Sequence, residues 1–250
     1  MKTLSQLKRS LSHLLFPIKE TAPEQAYDLW ADAYDAQPDN LMLALDETLF
    51  SELLTGTSFK ELVIADVGCG TGRHWTKIYA GAPRMLKGYD VSQGMLDVLK
   101  QKFPQAETHQ LTSNTLVSLA GSSCDLILTT LAMAHIPDIG DAFKEWARVL
   151  KPGGRIILTD YHPDTLSKGG NRTFTHAGKT IAVKNYIHPI SKIRTLFNAL
   201  HLSEDRFEEK RIDQRVKHYY EKQNALHVYN RFKDTAMIYG MCLTKSHAAL

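Results

Sequence analysis

Residues 61–72 read ELVIADVGCGTG, a run of apolar residues that passes directly into three alternating glycines. The apolar part has the composition of a strand that is buried on both faces of a parallel sheet. Gly68, Gly70 and Gly72 allow a tight turn and a close approach of a ligand to the backbone, because no side chain intervenes. The stretch therefore predicts a strand, a ligand-binding loop and a helix, in that order.

Predicted strands and helices alternate after this loop. The strand at 61–67 is followed by strands at 85–89, 107–111, 124–130 and 155–160, with helical periodicity in the intervals. Lys151-Pro152-Gly153-Gly154 is expected to end the helix that precedes the last of them. Strands separated by helices indicate a mostly parallel sheet with helices on both faces.

The second half of the chain departs from this alternation. Residues 172–186 have the pattern of a hairpin, with Ala177-Gly178 at its turn. Two late strands, at 206–212 and 236–244, flank an aromatic stretch at 218–232. We expect one domain over residues 1–250, composed of a helical cap (1–55), a cofactor-binding core (56–161), an inserted hairpin lid (162–190) and a C-terminal part of the sheet (191–250).

The composition is that of a globular protein, with 250 residues, 43% hydrophobic and 23% charged. A net charge of +3 without a basic cluster argues against a nucleic-acid partner. The three cysteines have no spacing of a metal site or a disulfide framework. We expect a cytoplasmic protein without a metal or a membrane span, either a monomer or a homodimer.

The N-terminal residues 1–17 carry leucines at helical spacing with lysines and an arginine between them. This pattern predicts an amphipathic helix and lacks the continuous apolar stretch of a signal peptide or membrane span. Three roles remain open for it: packing on the domain or a second subunit, lying on a membrane surface, or covering the site.

The glycine loop suits two classes of nucleoside cofactor. Asp90, at the end of the second predicted strand, is placed to accept hydrogen bonds from both ribose hydroxyls. A dinucleotide site requires its third glycine at the position that Arg73 occupies, where a large side chain opposes close packing of helix on strand. A nicotinamide oxidoreductase is therefore the weaker interpretation.

The spacing of Gly68, Gly70 and Gly72 after Asp66 resembles motif I of class I S-adenosylmethionine-dependent methyltransferases. Four further stretches resemble the small-molecule, ubiquinone-biosynthesis-like members of that class. These are Tyr27-Asp28-x-Trp30-Ala31-x-x-Tyr34-Asp35, Cys124-Asp125-Leu126-Ile127, Leu131-Ala132-Met133-Ala134-His135-Ile136 and Leu150-Lys151-Pro152-Gly153-Gly154. The resemblance implies an α/β fold with a Rossmann-like seven-stranded, mostly parallel sheet, an inserted hairpin lid and an antiparallel last strand.

The resemblance also implies S-adenosylmethionine as the cofactor. The residues that it places around the cofactor are Tyr27, Trp30, Tyr34, Asp66, Gly68, Cys69, Gly70, Asp90, Val91, Met95, Ser113, Asn114, Thr130 and Leu131. Members of the class often carry an acidic residue after the third strand that binds the adenine amino group. Here the segment at 111–115 has no carboxylate, and Ser113 or Asn114 would supply a neutral oxygen instead.

Methyl transfer needs alignment of a nucleophile with the sulfonium methyl group, and a base where the nucleophile carries a proton. His135 and His162 follow the fourth and fifth strands at the ligand-binding edge and are the candidate bases. Packing roles explain both histidines as well. Candidate substrate-binding residues, with the same alternative, are Tyr161, Tyr186, His188 and Tyr220.

The predicted function is S-adenosylmethionine-dependent methylation of a small molecule in secondary or quinone-like metabolism, with oxygen or carbon as the favoured acceptor atom. The chain lacks an Asn-Pro-Pro-Tyr type motif, which is typical of enzymes that methylate amino groups of nucleic acids. The alternative is a methyltransferase-like protein that binds the cofactor and catalyses another step, such as a cyclisation, or acts as a scaffold.

The Asp90→Ala variant should bind S-adenosylmethionine more weakly by about 2–5 kcal/mol, because it loses two charge-assisted hydrogen bonds to the ribose. Isothermal titration calorimetry of the parent and the variant measures this difference. Equal affinities would show that the ribose does not bind at Asp90.

Overall fold

The computed structural model describes residues 20–37 and 39–247. The amphipathic helix predicted for residues 1–17 lies outside the described residues. Between residues 20 and 247, none of the helices combines the length and the apolar character needed to span a bilayer.

The described residues form ten strands and nine α-helices. The strands are β1 (Glu20–Thr21), β2 (Val63–Val67), β3 (Met85–Asp90), β4 (Glu107–Gln110), β5 (Cys124–Thr130), β6 (Leu150–Tyr161), β7 (Thr173–His176), β8 (Lys179–Val183), β9 (Leu202–Arg211) and β10 (Ala236–Lys245). The helices are α1 (Pro23–Trp30), α2 (Leu41–Leu53), α3 (Trp75–Ala80), α4 (Gln93–Lys102), α5 (Ile139–Val149), α6 (Pro163–Ser167), α7 (Ile190–Ala199), α8 (Lys217–Lys222) and α9 (Leu226–Phe232).

Seven strands form the central sheet, in the spatial order β4-β3-β2-β5-β6-β10-β9. The first five strands in this order run parallel to one another, and β10 runs antiparallel to both of its neighbours. The order reverses between β2 and β5, so that a crevice for a ligand forms at the carboxyl ends of these strands. The predicted Rossmann-like sheet and its antiparallel last strand are confirmed.

Helices cover both faces of this sheet because its central strands are apolar on both sides. Every residue of β2 is buried. Phe143 and Trp146 of α5 pack on one face, and Leu49 and Phe50 of α2 pack on the other. Each of these four side chains is at most 1% exposed, which makes them the centres of two cores separated by the sheet.

Two predicted segments have different bounds in the structure. Strand β6 begins at Leu150, because the chain pairs with β5 before the expected turn and passes through a bulge with Gly153 at φ +76°. Strand β9 spans Leu202–Arg211, whereas the sequence predicts a strand at 206–212. The aromatic stretch at 218–232 folds into α8 and α9, and its Tyr229 and Phe232 pack on Leu41 of α2.

The predicted hairpin forms β7 and β8, outside the central sheet. Ala177 and Gly178 at its turn both have positive φ, at 47° and 75°, as expected for a tight two-residue hairpin. Strand β8 also pairs in parallel with β1, which precedes α1. The hairpin lid and residues 20–37 therefore share a separate three-stranded sheet. From here on, the cap means residues 20–37, which are part of the predicted helical cap at 1–55.

The Leu49→Ala variant should lose about 2–5 kcal/mol of unfolding free energy, because a fully buried side chain between α2 and the sheet leaves a cavity. Urea unfolding followed by circular dichroism measures the change. The matched control is Thr48→Ala, on the exposed face of the same helix, with an expected change of at most about 0.5 kcal/mol. A similar loss in both variants would contradict this packing.

Candidate active site

A cavity of 430 Å³, here called the first cavity, opens at the carboxyl ends of β2, β3 and β5. Its size is within the range of roughly 300–1,000 Å³ that is typical of small-molecule sites. It brings together most of the residues predicted to hold the cofactor, namely Tyr27, Tyr34, Gly68, Gly70, Asp90, Val91, Met95, Ser113, Asn114, Thr130 and Leu131. His135 and Tyr186 line the same cavity.

The glycine loop is held open toward this cavity by its backbone. The amide groups of Gly68 and Cys69 both donate to the carbonyl oxygen of Tyr89, at 2.7 and 3.1 Å. Gly70 has φ +52°, and a Cβ added there would meet no atom within 4 Å, because the residue faces open space. That space is available to a ligand only while the residue is glycine, which fits a cofactor lying directly on the loop.

Asp90 occupies the position expected for a ribose-binding carboxylate. Its Oδ2 accepts a hydrogen bond from the Gly70 amide at 2.8 Å, and its Oδ1 accepts one from the Ser92 amide at 2.9 Å. Each oxygen keeps a further lone pair for a ligand hydroxyl. Burial raises the pKa of Asp90 to about 6. The group is therefore ionised, and able to accept two ribose hydrogen bonds, above that pH.

The part of the cavity predicted to hold the adenine is lined by Val91, Met95, Ser113 and Asn114, and Glu24 also lines the first cavity. Val91 and Met95 provide apolar walls, and Ser113 and Asn114 provide polar ones. Asn114 donates its side-chain amide to the Asp138 carbonyl at 3.2 Å, which leaves its Oδ1 as an acceptor for an amino group. The segment after β4 thus offers a nucleoside base a neutral acceptor and no carboxylate.

Two residues predicted to touch the cofactor instead support the loop from behind. Asp66 accepts a hydrogen bond from Trp75 Nε1 at 2.7 Å, and burial raises its pKa to about 6. Cys69 lies against Gly88, where an added Cβ would approach its Sγ to 2.9 Å. Neither residue lines the first cavity, because the turn directs both side chains toward α3 and β3.

Two aspartates of the cap fasten it over the first cavity. Asp28 Oδ1 accepts hydrogen bonds from Ser92 Oγ at 2.6 Å and from the Gly94 amide at 2.9 Å, at the start of α4. Asp35 accepts one from Thr71 Oγ1 of the glycine loop at 2.7 Å. The paired Tyr-Asp dipeptides at 27–28 and 34–35 are the signal in the sequence for this arrangement, in which the tyrosine enters the cavity and the aspartate anchors the cap.

His135 connects the cap to the lid at the wall of the first cavity. Its Nδ1 lies 3.0 Å from the Lys184 carbonyl oxygen, and its Nε2 lies 2.8 Å from Tyr27 Oη. Since a carbonyl only accepts, Nδ1 carries the proton and Nε2 accepts the hydrogen bond of the tyrosine. Burial, with the nearby Arg172 charge, lowers the pKa of His135 to about 4. The imidazole is therefore neutral at neutral pH, with its basic nitrogen directed at a cavity-lining hydroxyl.

The other predicted catalytic residue, His162, lies away from the first cavity. It caps α6 by accepting from the Asp164 amide through Nδ1 at 3.1 Å, and its Nε2 lies 2.8 Å from Glu209 Oε1 on β9. Because strand β6 extends to Tyr161, the following residue, His162, lies beside β10, and its ring packs on Tyr239. The structure gives this histidine a packing environment.

The predicted substrate-binding residues divide between two cavities. Tyr161 and Tyr220 line a second cavity of 780 Å³. Trp30, which the resemblance places around the cofactor, lines this second cavity and not the first. Tyr186 lines the first cavity. His188 lines neither, and its Nε2 lies 2.9 Å from the Ile136 carbonyl oxygen, where it ties the lid to the loop after β5.

Arg172, at the base of the lid, was not predicted from the sequence. It lines the second cavity, and its guanidinium lies among the rings of Tyr27, Trp30 and Tyr34, two of which line the first cavity. No motif marked this residue, because its position depends on the contact between the cap and the lid, which are far apart in the chain.

Comparison with known proteins is consistent with this site. A family profile described as a methyltransferase domain matches residues 65–158. The chain is 28% identical over 207 residues to an uncharacterized methyltransferase of Emericella nidulans, which covers 68% of this chain and 71% of that protein. It is 32% identical over 140 residues to the ubiquinone/menaquinone biosynthesis C-methyltransferase UbiE of Campylobacter jejuni, and this match covers 54% of the chain and 57% of the relative's length.

One solved structure with the same fold is an S-adenosylmethionine dependent methyltransferase from Mesorhizobium loti. It superposes with a TM-score of 0.61 at 17% identity and covers 78% of this chain and 95% of that chain. At this level of identity the likeness concerns the fold.

Affinity for S-adenosylhomocysteine should fall as the pH is lowered through about 6, because protonation of Asp90 removes an acceptor for the ribose hydroxyls. Calorimetric titrations on both sides of that pH measure the change. Asp90→Asn should bind weakly with no such pH dependence, whereas Asp66→Asn, which changes a carboxyl group of similar pKa behind the loop, should keep it. Loss of the pH dependence in Asp66→Asn alone would contradict the assignment.

Proposed function

We propose that this chain, an S-adenosylmethionine-dependent methyltransferase with the class I fold, methylates a small molecule on oxygen or carbon. The observation that carries the proposal is the hydrogen-bonded pair of Tyr27 and His135 at the wall of the first cavity. An acceptor hydroxyl or acidic carbon must lose a proton when it is methylated, and this pair supplies a proton acceptor at the site. UbiE, named as a C-methyltransferase, provides support from a relative.

The pair acts as a short relay. When bound, S-adenosylmethionine would supply the methyl group. The acceptor proton would move to Tyr27 Oη, and the tyrosine proton would move to His135 Nε2. The Lys184 carbonyl keeps the imidazole in the required tautomer throughout. Burial raises the pKa of Tyr27, so the phenol stays protonated at rest and passes a proton on without holding a negative charge.

The shape of the second cavity supports a small apolar or aromatic acceptor. Its 780 Å³ are enclosed by the cap, the lid and the helices α8 and α9. About half of the lining residues are apolar or aromatic, namely Trp30, Leu41, Met42, Tyr161, Ala182, Ile212, Tyr219, Tyr220, Val228, Phe232 and Met237. The volume lies within the range of roughly 300–1,000 Å³ that is typical of small-molecule sites.

The direct test is incubation of the purified protein with S-adenosylmethionine labelled in its methyl group and with small-molecule extracts. We expect label in a low-molecular-weight product and release of S-adenosylhomocysteine. Tight cofactor binding without any transfer of label would favour the alternative, a cofactor-binding protein that catalyses a non-methylating step or serves as a scaffold.

Once an acceptor is found, His135→Gln should slow methyl transfer by roughly 10²-fold, the low end for a general base, because the relay loses a final proton acceptor whose pKa is lowered to about 4. Affinity for S-adenosylhomocysteine should stay close to that of the parent. Single-turnover rates and calorimetry measure the two quantities. Tyr27→Phe should lose a similar factor, and the double variant should lose little more, because the two residues act as a unit.

The matched control is His176→Gln, on the exposed face of the lid hairpin. His162→Gln compares the two histidines predicted from the sequence and should retain the parental rate of methyl transfer. A normal rate in His135→Gln together with a large loss in His162→Gln would assign the base to the other histidine.

A further inference from the structure

Arg172 is a buried cation at the boundary between the two cavities. It is 3% exposed, and its carbonyl oxygen accepts a hydrogen bond from the Val183 amide, which fixes the backbone at the base of the lid. The centre of its guanidinium lies 5.8, 5.1 and 5.3 Å from the ring centroids of Tyr27, Trp30 and Tyr34. The cap thus encloses the cation in aromatic rings.

Two of its three nitrogen atoms have no hydrogen-bond partner among the described residues. Nη2 donates to Tyr34 Oη at 2.7 Å, whereas Nε and Nη1 are buried without an acceptor. No carboxylate lies within ion-pair distance of Arg172 in the part of the chain that the structure describes. A guanidinium is always charged, and the rings offset only a part of its lost hydration, so this arrangement is costly without a further partner.

Asp160 is the carboxyl group on whose pKa the charge of Arg172 acts, and it already accepts two backbone hydrogen bonds. Asp160 accepts hydrogen bonds from the Ala134 amide at 2.5 Å and from the Tyr161 amide at 2.7 Å. Burial raises its pKa to about 7, although the charge of Arg172 acts in the opposite direction. Asp160 forms no ion pair with Arg172, and the described side chains that face the guanidinium are the rings of Tyr27, Trp30 and Tyr34.

The position of Arg172 connects it to the acceptor. It lines the second cavity together with apolar and aromatic side chains, several neutral polar ones and the charged Asp39 and Arg231, and its cage contains two residues of the first cavity, Tyr27 and Tyr34. A ligand anchored at Arg172 would extend into the apolar space on one side and lie next to the proton relay on the other.

We propose that Arg172 binds a carboxylate of the methyl acceptor, so that the acceptor is an amphipathic carboxylic acid. The inference rests on the proposed function, because it names the acceptor class of the same site. Each forked edge of the guanidinium combines Nη2 with one of the two unpartnered nitrogens, which suits the two oxygens of a carboxylate. The cap covers Nε and Nη1 of Arg172. The acceptor therefore binds when the cap moves and its carboxylate replaces Tyr34 Oη as the partner of Nη2.

The first test uses the full-length protein saturated with S-adenosylhomocysteine. Octanoate and phenylpropionate are titrated calorimetrically against octanamide and phenylpropionamide, which match them in size without the charge. We expect the carboxylates to bind tighter by roughly tenfold or more, because a charge-assisted pair forms in a buried site. Equal binding of the acids and the amides, or binding of neither, would overturn the proposal.

The second test assigns the preference to Arg172. Arg172→Gln should remove the preference for the acids, measured again in protein that is saturated with S-adenosylhomocysteine. Arg215→Gln, which removes the same charge from a side chain that is 84% exposed, should keep the preference. A large loss of cofactor affinity in Arg172→Gln with the acid preference intact would identify the cofactor's own carboxylate as the partner and overturn the proposal.

A stability measurement separates a binding role from a structural one. Without a ligand, Arg172→Met should melt at the same temperature as the parent or higher, because it removes a buried charge that lacks a partner. A markedly lower melting temperature would make Arg172 a structural residue and contradict the inference. The methyl-transfer assay stays independent: methylation of neutral acceptors alone would overturn the carboxylate site and leave the proposed function intact.

Discussion

The contact between Gly68 and Ala132 determines how the site is assembled. A Cβ added at Gly68 would lie 2.3 Å from the Cβ of Ala132, so the glycine loop and the loop after β5 meet at a distance that only glycine permits. Gly68 has φ +73°, and Leu131 is also in the left-handed region, at φ +54°. This close approach places the cofactor-binding backbone beside the loop that carries His135, and the rest of the site is arranged around that junction.

Backbone hydrogen bonds then connect this loop to the lid. The Tyr186 amide donates to the Ala134 carbonyl at 2.7 Å, and the Lys184 amide donates to the Thr21 carbonyl at 2.9 Å. The cap, the lid and the loop after β5 therefore form one hydrogen-bonded layer over the cavities. The proton acceptor that we propose is held by this layer through both of its ring nitrogens, which explains how the half-buried His135 keeps one tautomer.

The sequence predicts the parts of the molecule in which local signals agree. The glycine loop, Asp66 and Asp90 indicate the fold, which is confirmed, and the cofactor class, which the match to a methyltransferase domain supports. The hairpin turn at Ala177-Gly178 is also confirmed, because its two positions require positive φ. Local signals do not determine which way a side chain points at the end of a strand. For that reason His135 and His162 are equivalent in sequence and lie in different environments in the structure.

The three-stranded sheet shared by the cap and the lid can change in sequence independently of the central sheet. It shares no strand with the seven-stranded sheet, so its side chains can be exchanged without altering the strand pairing that positions the glycine loop. Phe174 of this sheet stacks on Trp30 of the cap at 4.4 Å, and both belong to a cluster that reaches the central domain through Met95 of α4. Substitutions in the three-stranded sheet can therefore change which acceptor binds while the cofactor-binding loop is retained. Acceptor specificity is the property that such substitutions alter first.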